Sequence, residues 1–248
     1  MDTAFLSETV HFSGHNGDDI EAYASRPIDK AARGGVVVIH HLPGYDRESK
    51  EFVRRFADRG YDSVAPNLYS RVAGSYDDAA AAVRAEGGVR DDQVMGDVRG
   101  AVDYLRSLDT NNGKVAVIGH CSGGRHTYLA SATLPIDAGI VCYGGLITGE
   151  TPPQMPSMVP ILERTPDIGC PVLGLFGNDD QHPSPAHVDE LDERLTELGK
   201  PHEFHRYDDA GHAFFSTDRP SYRVEAANDG WEQITDFYAT HLSTATGA

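Results

Sequence analysis

The chain is poor in basic residues, and this limits the partners that it can bind. It contains 21 Lys and Arg residues against 38 Asp and Glu residues, which gives a formal net charge of -17 at pH 7. An excess of negative charge repels nucleic acids and anionic membrane surfaces. We therefore expect a small-molecule ligand, and neither nucleic acid nor membrane as a partner. The sequence does not indicate an oligomeric state.

Cysteine is scarce too, and long apolar runs are absent. The three cysteines, Cys121, Cys142 and Cys170, form an odd number without a pairing pattern, which is typical of a reducing compartment. No apolar run in the sequence approaches the roughly 20 residues that a membrane-spanning helix needs. Residues 1–10 carry acidic side chains and no apolar core, unlike a signal peptide. We expect a cytoplasmic protein.

The sequence also lacks internal repeats, low-complexity tracts and linkers. With 40% hydrophobic residues, it can bury a sizeable core. We expect residues 1–248 to form a single domain, because α/β folds often reach this length.

Apolar patterning predicts strands that alternate with helices, which is typical of an α/β sheet covered on both faces. Two short extended runs, 9–12 and 20–25, flank a turn-forming segment and predict an N-terminal antiparallel hairpin. The proline-rich segment 151–160 predicts a surface excursion without regular structure. The other predicted strands are 35–40, 63–66, 115–118, 138–142, 171–176 and 203–207, and the predicted helices end near 60, 86, 108, 198 and 242.

One short segment, Gly119-His120-Cys121-Ser122-Gly123-Gly124, joins the strand 115–118 to an Ala- and Leu-containing helix. This is the pattern of a nucleophile elbow, with cysteine where serine is commoner. The glycines allow a sharp turn, and the N-terminus of the following helix favours a thiolate. The alternative is that Cys121 is a small core residue.

Two further candidate catalytic residues follow later strands. Cys121, Asp180 and His212 occur in the order nucleophile, acid, histidine, which is the order in α/β-hydrolases. Each comes directly after a predicted strand, where open parallel sheets place their sites. We therefore predict an α/β-hydrolase fold with a mostly parallel central sheet, and a Cys-His-Asp triad. Asp179 is a competing acid, and the alternative for Asp180 and His212 is that they are ordinary loop residues.

Several other short segments occur in the same order as the motifs of a known family. Through them the chain resembles the dienelactone hydrolase family over nearly its whole length. They are His41-Leu42-Pro43-Gly44, Ala65-Pro66-Asn67-Leu68-Tyr69, Gly96-Asp97-Val98, the elbow, Gly177 to Asp180, Ala210 to Phe214, and Arg219-Pro220-Ser221-Tyr222 leading to Trp231.

The resemblance implies a hydrolase of enol-lactones or related activated esters. It implies Asp180 as the triad acid, and the backbone N–H groups of Leu42 and Ser122 as the oxyanion hole. It implies no cofactor.

Three positions depart from the family pattern. The family typically has a glutamate, implicated in controlling the thiol proton, where this chain has His41. Two carboxylate-binding arginines of the family align with Ala79 and Ser216. We consider Arg84, Arg125 and Arg219 as possible replacements in contact with the substrate, and the alternative for each is a solvated surface arginine.

Two other functions are less favoured by the sequence. The histidines show no two-His helix motif or Cys pair, so we predict no metal site. A non-enzymatic alternative is a redox sensor that uses Cys121 as a reactive thiol, with Cys142 as a resolving partner.

Overall fold

The computed structural model describes residues 4–28, 33–42, 44–151, 153 and 158–243. In this part of the chain the strands are β1 (Phe5–Ser13), β2 (Asp19–Pro27), β3 (Gly35–Ile39), β4 (Asp62–Pro66), β5 (Val115–His120), β6 (Ala138–Cys142), β7 (Val172–Gly177) and β8 (His202–Tyr207). The α-helices are α1 (Arg47–Asp58), α2 (Tyr76–Ala85), α3 (Asp91–Ser107), α4 (Ser122–Thr133), α5 (Pro185–Glu197) and α6 (Val224–His241). Short 3-10 helices lie at His15–Gly17 and Leu162–Asp167.

The eight strands form one sheet in the order β1-β2-β4-β3-β5-β6-β7-β8. β1 pairs with β2, and β2 with β4, in antiparallel fashion. The pairs from β4 through β8 are parallel. The predicted mostly parallel sheet and N-terminal hairpin are confirmed. No helix in the described ranges combines the length and apolar content that crossing a membrane requires.

The central strands β3 to β7 are buried at every position because helices cover both faces of the sheet. In β3, Val37 and Ile39 belong to one apolar cluster, whereas Val36 and Val38 belong to the other. The first cluster includes residues of α2, α3, α4 and α5. The second includes residues of α1 and α6. This alternation follows from the two-residue period of a strand.

Two features differ from the sequence-based expectation. The 3-10 helix Leu162–Asp167 was not predicted; it contains Pro166, which ordinarily argues against a helix. The predicted excursion 151–160 falls partly on residues 152 and 154–157, outside the described residues. Its described remainder has no helix or strand.

Arg125 lies in the interior, so both interpretations of this residue, as a substrate contact or a solvated arginine, are wrong. Its side chain is fully buried. Its Nη1 and Nη2 donate to the two carboxylate oxygens of Asp91 at 2.5 and 2.9 Å, and Nη2 also donates to the Val159 carbonyl at 2.6 Å. A buried guanidinium requires a carboxylate partner. Because Arg125 lies in α4 and Asp91 is the first residue of α3, their ion pair joins these two helices.

We expect Asp91→Asn to lower the free energy of unfolding by about 3 kcal/mol, because it leaves the Arg125 charge buried without its counter-ion. Asp92→Asn is the matched control. Both residues lie in the first turn of α3, but Asp92 pairs with Arg90, whose side chain is 75% exposed. The control should lose much less stability, because an exposed ion pair contributes little. Urea unfolding measures both changes, and equal losses would contradict this role for the buried pair.

Candidate active site

Cys121 lies at a sharp turn between β5 and α4. Its backbone has φ 56° and ψ -120°, a conformation that non-glycine residues rarely adopt. Its N–H donates to the carbonyl of Cys142 on the neighbouring strand at 3.1 Å. The side chain is partly exposed at the N-terminus of α4. This is the geometry of the predicted nucleophile elbow.

Two glycines make this turn possible. A Cβ atom on Gly119 would lie 2.1 Å from the carbonyl oxygen of Gly123. A Cβ atom on Gly123 would lie 2.2 Å from the carbonyl oxygen of Ile39, at the end of β3. No side chain fits at either position, since such distances are far inside van der Waals contact. The start of α4 therefore packs directly against the end of β3.

The structure brings His212 and Asp180 together beyond the carboxyl ends of β8 and β7. The His212 Nδ1 and Asp180 Oδ2 atoms are 2.7 Å apart. Asp180 is 3% exposed, and its other oxygen accepts the His182 N–H at 2.8 Å. The competing acid Asp179 is exposed, and its N–H donates to the Ala210 carbonyl at 2.9 Å. The carboxylate that orients His212 is that of Asp180.

Cys121 and His212 line the same two cavities. Burial lowers the pKa of His212, but hydrogen bonding to Asp180 and Cys121 and the charges of both partners together outweigh burial and raise it to about 10. A histidinium between a carboxylate and a sulfur is the arrangement that a thiolate nucleophile needs. The Tyr143 ring packs edge-on against the His212 ring, with centroids 5.2 Å apart. Cys121, His212 and Asp180 therefore lie together, in the order predicted for a nucleophile, a histidine and an acid.

The predicted triad residues line a cleft with a volume of about 1090 Å³. Leu42 and Ser122, the two predicted oxyanion-hole residues, line this cleft together with Cys121 and His212. Ser122 is the first residue of α4, where backbone N–H groups lack intrahelical acceptors. Among the described residues that line the cleft there is no Lys or Arg, whereas Glu150 and Asp179 add carboxylates near the triad.

Comparison with known proteins agrees with this geometry. Residues 20–242 match the model of the dienelactone hydrolase family. The chain belongs to this family. It is 34% identical over 224 residues to a "Putative carboxymethylenebutenolidase" of Methylorubrum extorquens, covering 88% of this chain and 76% of the relative. It is 33% identical over 236 residues to a protein of the same name from Salmonella typhimurium, covering 91% and 84%.

Solved structures show the same relationship. The crystal structure of a "Putative Dienelactone Hydrolase" from Klebsiella pneumoniae subsp. pneumoniae superposes with a TM-score of 0.84 at 28% identity, covering 95% of this chain and 99% of that one. This dienelactone hydrolase family member therefore has the α/β-hydrolase fold and belongs to a family of hydrolases.

A second, smaller cavity of about 30 Å³ lies on another side of Cys121, and we call it the rear chamber. His41 and Arg219 both line it. The His41 Nε2 atom is 3.0 Å from Arg219 Nη2 and 3.2 Å from Asp46 Oδ2. Of the three arginines considered from the sequence, only Arg219 lies beside the site. Arg84 is exposed on α2 and lines neither cavity.

Sequence reasoning missed Glu48, a carboxyl group that lines the rear chamber from α1. Burial raises the pKa of Glu48, although a hydrogen bond to Ser216 and the charge of His41 act in the opposite direction. This dienelactone hydrolase family member thus has a carboxyl beside the thiol, although position 41 is a histidine. The sequence did contain a signal for the position of Glu48. It lies four residues before Phe52, which also lines the rear chamber, and a helix places residues four apart on the same face.

The sequence-based prediction of no metal site considered the histidines, but not the carboxylates that this region places beside His41. Ligand atoms of His41, Asp46 and Glu48 all lie within 4.8 Å of one another. Such nitrogen and carboxylate donors suit several divalent ions. The guanidinium of Arg219 already lies 3.0 Å from His41 Nε2 and supplies positive charge to this group.

Iodoacetamide should alkylate Cys121 much faster than the other cysteines, by at least about a hundredfold, because alkylation requires an accessible thiolate. Cys142 is fully buried and Cys170 is 5% exposed. Burial raises the pKa of the Cys142 thiol well above its usual value and that of Cys170 to about 11. Peptide mass mapping over a time course measures the three rates. Similar rates for all three would count against Cys121 as the nucleophile.

Proposed function

We propose that this chain hydrolyses lactones or small activated carboxylic esters, with Cys121 as the covalent nucleophile. The observation that carries this proposal is that Cys121 lies with His212 at a large cleft, while His212 is hydrogen-bonded to the buried Asp180. Hydrolases of unrelated folds use the same three roles of nucleophile, histidine and acid. The arrangement of these groups, and not the fold, therefore identifies the chemistry. The names of the curated relatives, which refer to opening of a butenolide-type lactone, agree with this reaction class.

In the acylation step, the Cys121 thiolate attacks the carbonyl carbon and forms a C–S bond. The carbonyl oxygen becomes an oxyanion, which the Leu42 and Ser122 N–H groups stabilise. The C–O bond of the ester then breaks, and the His212 imidazolium donates its proton to the departing oxygen. With a lactone the leaving group stays attached, so the acyl-enzyme carries the opened ring.

In the deacylation step, neutral His212 accepts a proton from a water molecule while the water oxygen attacks the thioester carbonyl. The C–S bond breaks, the carboxylic acid leaves, and the thiolate is restored beside the imidazolium. Asp180 holds the imidazole ring and stabilises its charged form in both steps.

The charges of the cleft favour a neutral substrate. A bound carboxylate needs a charge-assisted partner such as a bidentate arginine. Arg125 is engaged by Asp91, and the Arg219 Nη2 atom lies against His41 in the rear chamber. The carboxylates of Glu150 and Asp179 at the cleft would repel an anion. We therefore propose neutral or weakly acidic esters and lactones as the substrate class.

The redox-sensing alternative has less support. Cys142, the suggested resolving partner, is fully buried, and burial raises the pKa of its thiol well above the usual value. Thiol–disulfide exchange requires an accessible thiolate. Ester turnover by the reduced protein distinguishes the two functions.

His212→Ala and Asp180→Asn should each lower kcat for a nitrophenyl ester by at least about a hundredfold, because they remove the proton carrier or its orienting charge. Asp179→Asn is the matched control and should change kcat by less than about threefold, because this adjacent carboxylate is exposed and does not contact His212. Circular dichroism checks that each variant is folded. A larger loss in Asp179→Asn than in Asp180→Asn would refute the acid assignment.

The enzyme should hydrolyse a neutral lactone at least as well as dienelactone, an anionic lactone of similar reactivity. Comparison of kcat/KM for the two substrates tests this. A preference for the anion of more than about a hundredfold, roughly 2.7 kcal/mol of transition-state stabilisation, would overturn it. Arg219→Gln then shows whether Arg219 is the anion-binding group, because the variant would lose that preference.

A further inference from the structure

His40 lies directly after β3 and has no part in the triad, yet both of its ring nitrogens are engaged. The residue is 3% exposed. Its Nδ1 atom is 2.9 Å from the carbonyl oxygen of the next residue, His41. Its Nε2 atom is 3.2 Å from the Leu68 backbone nitrogen, in the segment after β4. The Tyr69 ring packs edge-on against it, with centroids 4.9 Å apart.

These two contacts define where the ring carries its proton. The Leu68 N–H can only donate, so Nε2 accepts and is unprotonated. The proton of the neutral ring is then on Nδ1, which donates to the His41 carbonyl.

The His41 carbonyl belongs to the same peptide unit as the Leu42 N–H. In a trans peptide the C=O and N–H bonds point in opposite directions. A hydrogen bond that holds the carbonyl toward the His40 ring therefore holds the Leu42 N–H away from it. Leu42 lines the cleft beside Cys121 and Ser122.

We propose that His40 is a positioning residue, which fixes the His41–Leu42 peptide so that the Leu42 N–H is directed at the developing oxyanion. This inference rests on the proposed function. The contact with Leu68 anchors the ring, so the orientation of the peptide depends on a rigid neighbour rather than on the loop alone. A donor that is free to rotate stabilises the transition state less, because catalysis by such donors depends on preorganisation.

The test uses two substitutions of nearly equal shape. In His40→Asn, the side-chain amide places an N–H close to the former Nδ1 position. In His40→Leu, the same volume carries no donor. Both variants lose the ring nitrogen that accepts from the Leu68 N–H. The loss of this contact therefore affects the two variants equally. If these shorter side chains leave the chain unfolded, His40→Gln is compared with the wild type instead. Its amide reaches the former Nε2 position and can accept from Leu68, but it places no donor at Nδ1, so the ester kcat should fall while the alkylation rate is kept.

Two reactions of Cys121 are measured for each variant. Hydrolysis of a nitrophenyl ester passes through an oxyanion, whereas alkylation by iodoacetamide at a saturated carbon does not. We expect kcat for the ester to be about tenfold to a hundredfold lower in His40→Leu than in His40→Asn, at similar KM. The alkylation rates of the two variants should agree within about twofold.

Equal ester kcat values in the two variants would overturn the proposal, and so would a parallel fall in the alkylation rate, which indicates damage to the thiol site as a whole. Failure of the wild-type chain to hydrolyse any ester or lactone would overturn the proposed function, and this inference with it. Normal wild-type turnover without a difference between the variants would overturn this inference alone.

Discussion

The backbone at Cys121 is held in a conformation that is unfavourable for cysteine, and the geometry of the site depends on it. Such a conformation persists only where surrounding structure leaves no alternative. Here the surroundings are the carbonyl oxygens of Gly123 and Ile39, which lie where Cβ atoms of Gly119 and Gly123 would be. The contact that forces the turn also brings the end of β3, and with it the Leu42 loop, beside the nucleophile.

Two ion pairs hold this turn and its catalytic partner in place from opposite sides. Arg125, four residues after Cys121, binds Asp91 in the interior, while Asp180 binds His212 at the cleft. Each pair places a nearly buried charge against a counter-charge, because an unpaired charge there would be strongly unfavourable. The first pair fixes the helix that begins directly after Cys121, and the second fixes the ring of His212.

Two local patterns were sufficient to predict the fold class and to select the residues that the structure brings together. One is a strand-to-helix turn with glycines on both sides of a cysteine, and the other is the occurrence of Asp180 and His212 directly after later strands. The reason is topological: parallel strands that alternate with helices bring their carboxyl ends to one edge of the sheet. The residues themselves favoured Asp180 over Asp179 only weakly, because adjacent loop residues can point in either direction, and it was the family resemblance that implied Asp180.

The sequence by itself determined the alternation of strands and helices, the elbow, and the order of the triad, since these follow from local periodicity and backbone sterics. The direction of long side chains was decided only by tertiary packing. Arg125 turns inward because Asp91 begins a helix packed against α4, and Glu48 lines the rear chamber because α1 covers that face of the sheet. The tautomer of His40 also depends on a residue far away in the sequence, since the Leu68 N–H donates to its Nε2 atom. Such contacts join residues far apart in sequence, and no local pattern encodes them.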